Sequence, residues 1–347
     1  VAPDHPRIKG IIKALYEVLD RGDIRFFGNV TYGKDINLED LKKHYNAVIF
    51  STGAIEDADL KIPGIELDGS FGAAAFVNWY DAHPDFPRTW DLSAKEIAVI
   101  GNGNVALDVA RVLVKSPSQM LATDIPENVY KGLLASNATD VHVFGRRGPA
   151  QVKFSPLELR EAVHVEGVDT IVHDEDFQYD EGSNKQIESN NQTRVMVKTL
   201  EELRGKEQTG AARRLHLHFF SSPVEVIGEN GKVKALKIER TKLDGNGGVV
   251  PTGEYRELPI QAIYRAVGYF GSELNEIPFD SKAGVIPNDK GRVLDSSGKH
   301  IEGVYATGWI KRGPVGLIGH TKSDAIETIA QVIADKPTWW NPSAPEE

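Results

Sequence analysis

The stretch EIAVIGNGNVALDVARVL, Glu96–Leu113, decides the fold. Ile97–Ile100 is a short apolar run of the kind that forms a buried strand. Glycines follow at 101 and 103, and Ala106 stands where a third glycine is common. Val105, Val109 and Leu113 then recur at i, i+4 and i+8, with Ala106 and Ala110 beside them. That spacing predicts a helix with one face packed on a sheet. Strand, glycine turn and helix, in this order, form a dinucleotide-binding signature. The first glycine permits the tight turn, and the second lets phosphate oxygens approach the backbone. The third position needs only a small residue, which alanine satisfies. The helix N-terminus then offers free N–H groups to a pyrophosphate.

Working outward, Asp140–Pro149 (DVHVFGRRGP) reads as the next strand and its end. An acid at this position usually takes the ribose hydroxyls of NAD. Arg146 and Arg147 stand there instead, and arginine suits a 2′-phosphate, so the nucleotide read here is NADP(H). The gap between the two strands is longer than usual, and from Ser116 to Thr139 a helical insertion is expected. Three further apolar runs stop at glycine: STG at 51–53, AVG at 266–268 and ATG at 306–308. Strand tips of this kind are where α/β sheets bind ligands. In ATGWIKRGPVGLIG, glycines 308, 313, 316 and 319 bring bare backbone close to a flat ligand, and Trp309 is placed to cover a ring face. The helical run Thr321–Ala334 follows, so its positive end points at that ligand. A reduced flavin, negative near N1 and the C2 carbonyl, suits such a position. LHLHFFSSPVEVIG and KVKALKIERTKL flank ENG, which predicts an antiparallel hairpin turning near Asn230-Gly231. AIYRAVGYF, Ala262–Phe270, reads as another strand. The polar segment from Asp174 to Gly210 has weak periodicity and reads as surface.

The composition bounds the chemistry. The 347 residues suffice for two domains with substantial cores. Forty Lys and Arg against 50 Asp and Glu give a formal charge of −10, which disfavours general nucleic-acid binding. There is no cysteine, which excludes disulfides, thiolate metal sites, cysteine-ligated clusters and a disulfide-reductase dithiol within this chain. Redox chemistry must therefore be carried by an organic cofactor. No residue set suggests a metal site, no apolar run reaches the ~20 residues of a membrane span, and no signal peptide opens the chain. The expected location is cytoplasmic and the expected state monomeric.

GNGNVALDVAR, GRRGP, LELRE and WIKRGPVGLIG, with VAPDHP at the start, together resemble adrenodoxin reductase and the similar bacterial ferredoxin–NADP reductases. The resemblance covers nearly the whole chain and implies an α/β protein with two dinucleotide-binding, Rossmann-like domains. In it the NADP domain (95–265) is inserted in a discontinuous FAD domain (1–94 and 266–347). It further implies that the family's first FAD strand–turn–helix precedes the region matching VAPDHP, and that family members continue past Glu347. Gly101, Asn102, Gly103, Asn104 and Val105 would line the NADP pyrophosphate, and Arg146 and Arg147 would take the 2′-phosphate. Trp309 and Gly316 would lie where nicotinamide meets flavin. Gly316, Leu317 and Ile318 would offer backbone to FAD, with Gly53 and Gly308 beside them. His5 and Glu161 match a His–carboxylate pair near the active site, and Glu158 shares that helical face. The implied activity is hydride transfer from NADPH to FAD, then single-electron delivery to a ferredoxin-type iron–sulfur protein. Arg146, Arg147, Lys153, Arg160, Arg213 and Arg214 are candidates for a transient basic docking face. Two other readings stand beside this one. One is a flavoprotein similar to the small subunit of glutamate synthase. The other is an NADP-binding fragment or sensor without flavin or catalysis.

Overall fold

A computed structural model describes residues 2–316 and 318–339. The chain packs as two units. One gathers the residues up to Ile11 with Asp59–Val267, and the other gathers Ile12–Ala58 with the chain from Gly268 onward. Both units are thus discontinuous in sequence, and the residues up to Ile11, read from the sequence as part of the FAD segment, pack with the first. The expected boundary at residue 94 lies instead at Ala58–Asp59 in the packing. The reason is aromatic. Phe71, Phe76, Trp79 and Trp90 pack with Tyr264 in one cluster, so the strand Ser70–Gly72 and the helix Ala73–Tyr80 belong to the larger unit.

That unit is built on six parallel strands in the spatial order 70–72, 262–265, 96–100, 140–144, 213–218, 168–172. Asp140–Phe144 is buried along its whole length, as a central parallel strand must be. On one side lies the main core, where Val99, Val141, Val143, Leu215 and Leu217 meet the helix Asn104–Val114. On the other, Ala98, Ile100, Phe144 and Ile263 meet Val226, Leu236 and Ile238 of a three-stranded antiparallel sheet. The expected hairpin is present: Ser221–Glu229 pairs with Lys232–Leu243. Asn230 (φ 53°) and Gly231 (φ 79°) both take left-handed backbone, the signature of a twist-matched two-residue turn.

Two sequence expectations are corrected here. LHLHFFSSPVEVIG is not one strand. It breaks at Phe219-Phe220, where Phe220 turns with φ 49°, so residues 213–218 join the parallel sheet and 221–229 the hairpin. The polar stretch 174–210 is not only surface. It forms the helices Glu181–Ser189 and Asn191–Glu201, and the second buries Met196, Val197 and Leu200.

The smaller unit has a four-stranded sheet ordered 48–50, 300–306, 292–294, 288–289, with the first pair parallel. Phe50, Ile286, Val293, Val304 and Ile310 fill its core. The helix Ile318–Trp339 is tied to this sheet by a bidentate Arg292–Asp335 pair at 2.6 and 2.8 Å. Thr328 Oγ1 adds a bond to the Ala306 carbonyl at 3.0 Å. Among the described residues, no helix is long and apolar enough to cross a membrane.

Candidate active site

The glycine turn has the form the sequence predicts. Gly101 sits at φ 140°, and a Cβ there would meet the Ala266 carbonyl oxygen at 2.2 Å, so only glycine fits. Gly103 is open: a Cβ would meet nothing within 4 Å. It begins the helix Asn104–Val114 without any side-chain cap, which leaves first-turn N–H groups free for an anion. Ala106 is fully buried, confirming the third position as a packing site. Neighbouring side chains have structural duties. Asn104 Oδ1 accepts from Ser155 N–H at 2.7 Å, the Asn102 carbonyl accepts from Lys153 N–H at 3.0 Å, and Val105 packs on the core. What Asn104 and Val105 can offer a pyrophosphate is therefore mainly backbone. Arg146 is exposed and Arg147 half-buried at the end of the adjacent strand. Their backbone carbonyls accept from Thr241 Oγ1 (2.7 Å) and Phe220 N–H (3.2 Å), which fixes the strand end that carries them.

Sequence reasoning missed Arg265. It ends the strand next to 96–100, in register with Ile100, and its Nε is buried without a hydrogen-bond partner. A free N–H donor beside the glycine turn is what a phosphate requires.

His5 and Glu161 come together, and they do so inside a larger ionic cluster. His5 Nε2 lies 3.0 Å from Asp108 Oδ1 and 3.3 Å from Glu158 Oε2, while Nδ1 lies 3.3 Å from Glu161 Oε2. The organiser is Arg111, 1% exposed. It forks onto Asp4 at 2.7 and 3.0 Å, reaches Asp108 at 2.7 Å and Glu158 at 3.1 Å, and Lys115 adds a bond to Asp4 at 2.7 Å. Arg111 Nη2 also lies 2.8 Å from His5 Nε2, a contact that opposes a protonated ring. Three carboxylates outweigh that one guanidinium. Bonds to Asp108 and then Glu158 push the His5 imidazole up to about 10, so it is a cation at neutral pH. In an imidazole-resolved NMR titration, His5 therefore stays doubly protonated through pH 8. A midpoint near the ordinary histidine value of about 6.5 would contradict this assignment. The sign follows from linkage. The stabilisation from His5 is complete below its unfolded-state value and is lost as pH rises through about 10.

In the smaller unit, the tips of two parallel strands stand side by side. Thr307 N–H bonds the Phe50 carbonyl at 2.9 Å, which brings the 51–53 and 306–308 stops together. Gly53 (φ 75°) and Gly308 (φ 75°) have open space where a Cβ would stand. Thr307 Oγ1 and Arg312 Nη2 are buried without hydrogen-bond partners, while Arg312 Nε faces Asp324 Oδ2 at 3.5 Å. Bare backbone with orphaned donors fits a flat ligand edged with nitrogen and oxygen. Trp309 is half-buried, and one of its faces is stacked on Tyr269 at 6.1 Å. Gly316 takes φ 90° against the His320 ring. Leu317 lies outside the described residues, and Ile318 is placed only as the first residue of the long helix.

No protein-family model matches the sequence. Individual relatives match it at nearly full length. NADPH-ferredoxin reductase FprA of Mycobacterium leprae (strain TN) is 41% identical over 334 residues, covering 95% of this chain and 72% of that protein. Mitochondrial NADPH:adrenodoxin oxidoreductase of Homo sapiens is 36% identical over 358 residues, covering 99% and 72%. The solved structure of Mycobacterium tuberculosis FprA in complex with NADPH superposes with a TM-score of 0.91 at 38% identity, over 100% of this chain and 76% of that one. This chain belongs to the family of NADPH-ferredoxin and NADPH:adrenodoxin reductases.

For this reductase the expected docking cations need one correction. Arg214 is taken by Asp140, with Nη2 at 2.6 Å, and Arg213 Nη1 donates to the Lys115 carbonyl at the end of a helix. Both are structural. Arg146, Lys153 and Arg160 remain exposed.

Proposed function

We propose that this chain is an NADPH-dependent flavoprotein oxidoreductase of the ferredoxin reductase type. The observation that carries the reading is the superposition, over the whole chain, on a relative solved with NADPH. The chemistry supplied by the bound cofactors is hydride transfer from NADPH to FAD and single-electron delivery to a ferredoxin-type iron–sulfur protein. The chain's own residues bind and orient. The N–H groups after Gly103, with Arg265, hold the pyrophosphate, and Arg146 and Arg147 hold the 2′-phosphate. Gly53, Thr307, Gly308 and Arg312 hold the flavin, and Trp309 borders its ring. His5 keeps one proton at Nε2 against Asp108 and one at Nδ1 against Glu161, a fixed positive charge beside the helix Asn104–Val114 of the NADP-binding unit. We assign the larger unit to NADP and the smaller to FAD. Arg146, Lys153 and Arg160 form the docking face for an acidic ferredoxin, in a transient contact that needs no oligomer. The location we infer is cytoplasmic.

The test is spectroscopic. The purified protein should be yellow, and anaerobic NADPH should bleach it while NADH does so poorly. A colourless preparation that still binds NADPH supports the flavin-free reading instead. Ferredoxin-dependent cytochrome c reduction should slow as salt rises, because charge sets the encounter rate. A salt-independent rate removes the docking face from the proposal.

A further inference from the structure

The electron-transfer chemistry leaves one group of side chains unused. Strand alternation sends Val141, Val143, Leu215 and Leu217 into the main core, and sends His142, His216 and His218 to the opposite face of the sheet. The register sets His142 directly beside His216, with ring centroids 4.2 Å apart. His142 Nδ1 and His218 Nε2 share a hydrogen across 3.0 Å. His173 stacks on His218 at 4.6 Å, and its Nε2 is buried without a hydrogen-bond partner. Four imidazoles occupy a surface that apolar residues would fill more simply.

Their outer nitrogens are held. His142 Nε2 donates to Glu96 at 2.9 Å, and His216 Nε2 donates to Asp140 at 2.9 Å. Arg214 in turn fixes Asp140. With both Nε2 atoms protonated toward carboxylates, both Nδ1 atoms keep lone pairs. This is the carboxylate–histidine arrangement that orients and strengthens imidazole ligands to metal ions. We propose that His142, His216 and His218 bind one borderline transition-metal ion of the zinc or copper class, with Glu96 and Asp140 as the orienting carboxylates. The three ligand atoms lie within 4.8 Å of one another. A tetrahedral ion with bonds of about 2.0–2.1 Å needs separations of about 3.3 Å. The rings are near-parallel, at 15° and 25° between His142 and its two neighbours, so they must tilt out of the stack to converge. The ion takes the place of the hydrogen shared by His142 and His218. That proton moves to Nδ1 of His218, so no net charge other than the metal's is added. The ion pins the strand 140–144 to the strand 213–218.

The experiment uses the full chain, free of affinity tags and treated with chelator, titrated with Zn2+, Co2+ and Cu2+. One equivalent should bind with micromolar or tighter affinity, Zn2+ should raise the thermal midpoint by mass action, and Co2+ should give the absorption of a four- or five-coordinate nitrogen site. His218→Asn and His216→Gln should each weaken binding at least tenfold, and Glu96→Gln should weaken it about tenfold. Because His142 is buried, Glu96→Gln serves as its surrogate if His142→Gln fails to fold. His5→Gln, at the separate histidine–carboxylate cluster, should leave metal affinity unchanged. Absence of binding at submillimolar ion, affinity unmoved by His218→Asn and His216→Gln, or loss of binding in His5→Gln would each overturn the proposal.

Discussion

Replacing Arg111 with Met should cost this protein about 3–5 kcal/mol of stability, the usual result of removing one partner from a buried ion pair. Arg111 is 1% exposed and is the common donor to Asp4, Asp108 and Glu158. Methionine fills similar space but leaves three carboxylates in low dielectric with too few cations. Asp4 shows how strongly the cluster is coupled. Burial alone raises its pKa, yet the bonds to Arg111 and then Lys115 more than reverse this, and its carboxyl sits well below the usual range. A depressed carboxylate contributes stability above its unfolded-state value, about 3.9, and loses it as pH falls through the folded value. In the variant that contribution disappears, and orphaned carboxylates can escape their penalty by taking protons. The gap between wild type and Arg111→Met should therefore be widest at neutral pH and narrow toward pH 4. Urea unfolding across that range measures it, and the neutral-pH loss corresponds to a drop in Tm on the order of 10 °C. Arg111→Lys should fall between the two, because an ammonium keeps the charge but cannot fork onto three acceptors. A neutral-pH loss under about 1 kcal/mol would mean that the carboxylates find other partners and that Arg111 does not organise the cluster.

The same cluster shows where sequence and structure part. Asp108 and Arg111 are an i, i+3 pair inside a helix that is otherwise apolar all round, and charges in such a helix are a visible sign of burial. Their partner Asp4 was not legible, because it lies 107 residues from Arg111 and no local pattern links them. The glycine turn was legible because its constraint is local: Gly101 must turn against Ala266, and the helix must start uncapped at Gly103. The break at Phe219-Phe220 was hidden because the apolar alternation of LHLHFF runs on with no glycine or asparagine to mark the turn. In the stretch 174–210, Met196, Val197 and Leu200 do follow helical spacing, but three apolar residues in a polar segment give too weak a period to reveal a packed face. Part of the histidine array is legible in spacing. The sequence HLH at 216–218 places two imidazoles on one face of a strand, and His142 follows from the parallel register. What spacing could not supply is the pairing of strands 140–144 and 213–218, which some seventy intervening residues separate.

The second large effect concerns coenzyme choice. Replacing both Arg146 and Arg147 with Ala should raise the KM for NADPH about 10–100-fold, with the KM for NADH changed less than about twofold. Each charge-assisted bond from a guanidinium to a phosphate oxygen is worth about 1.5–3 kcal/mol when partly shielded, and less when open to solvent. Arg147 is half-buried and Arg146 exposed, so Arg147→Ala should carry the larger share. The effect should appear in KM rather than kcat, since the 2′-phosphate is remote from the reacting carbon and is held alike before and during hydride transfer. Salt gives an independent check. The wild-type KM for NADPH should rise with ionic strength more steeply than that of the double variant, because the interaction removed is between exposed charges. Placing an acid at the same strand end, as in Arg146→Asp, should go further and repel the 2′-phosphate while offering a carboxylate to a ribose hydroxyl. Equal losses for NADPH and NADH in the double Ala variant would show that these arginines support the strand end or the pyrophosphate instead. The 2′-phosphate would then have to be sought elsewhere along the tips of the parallel strands.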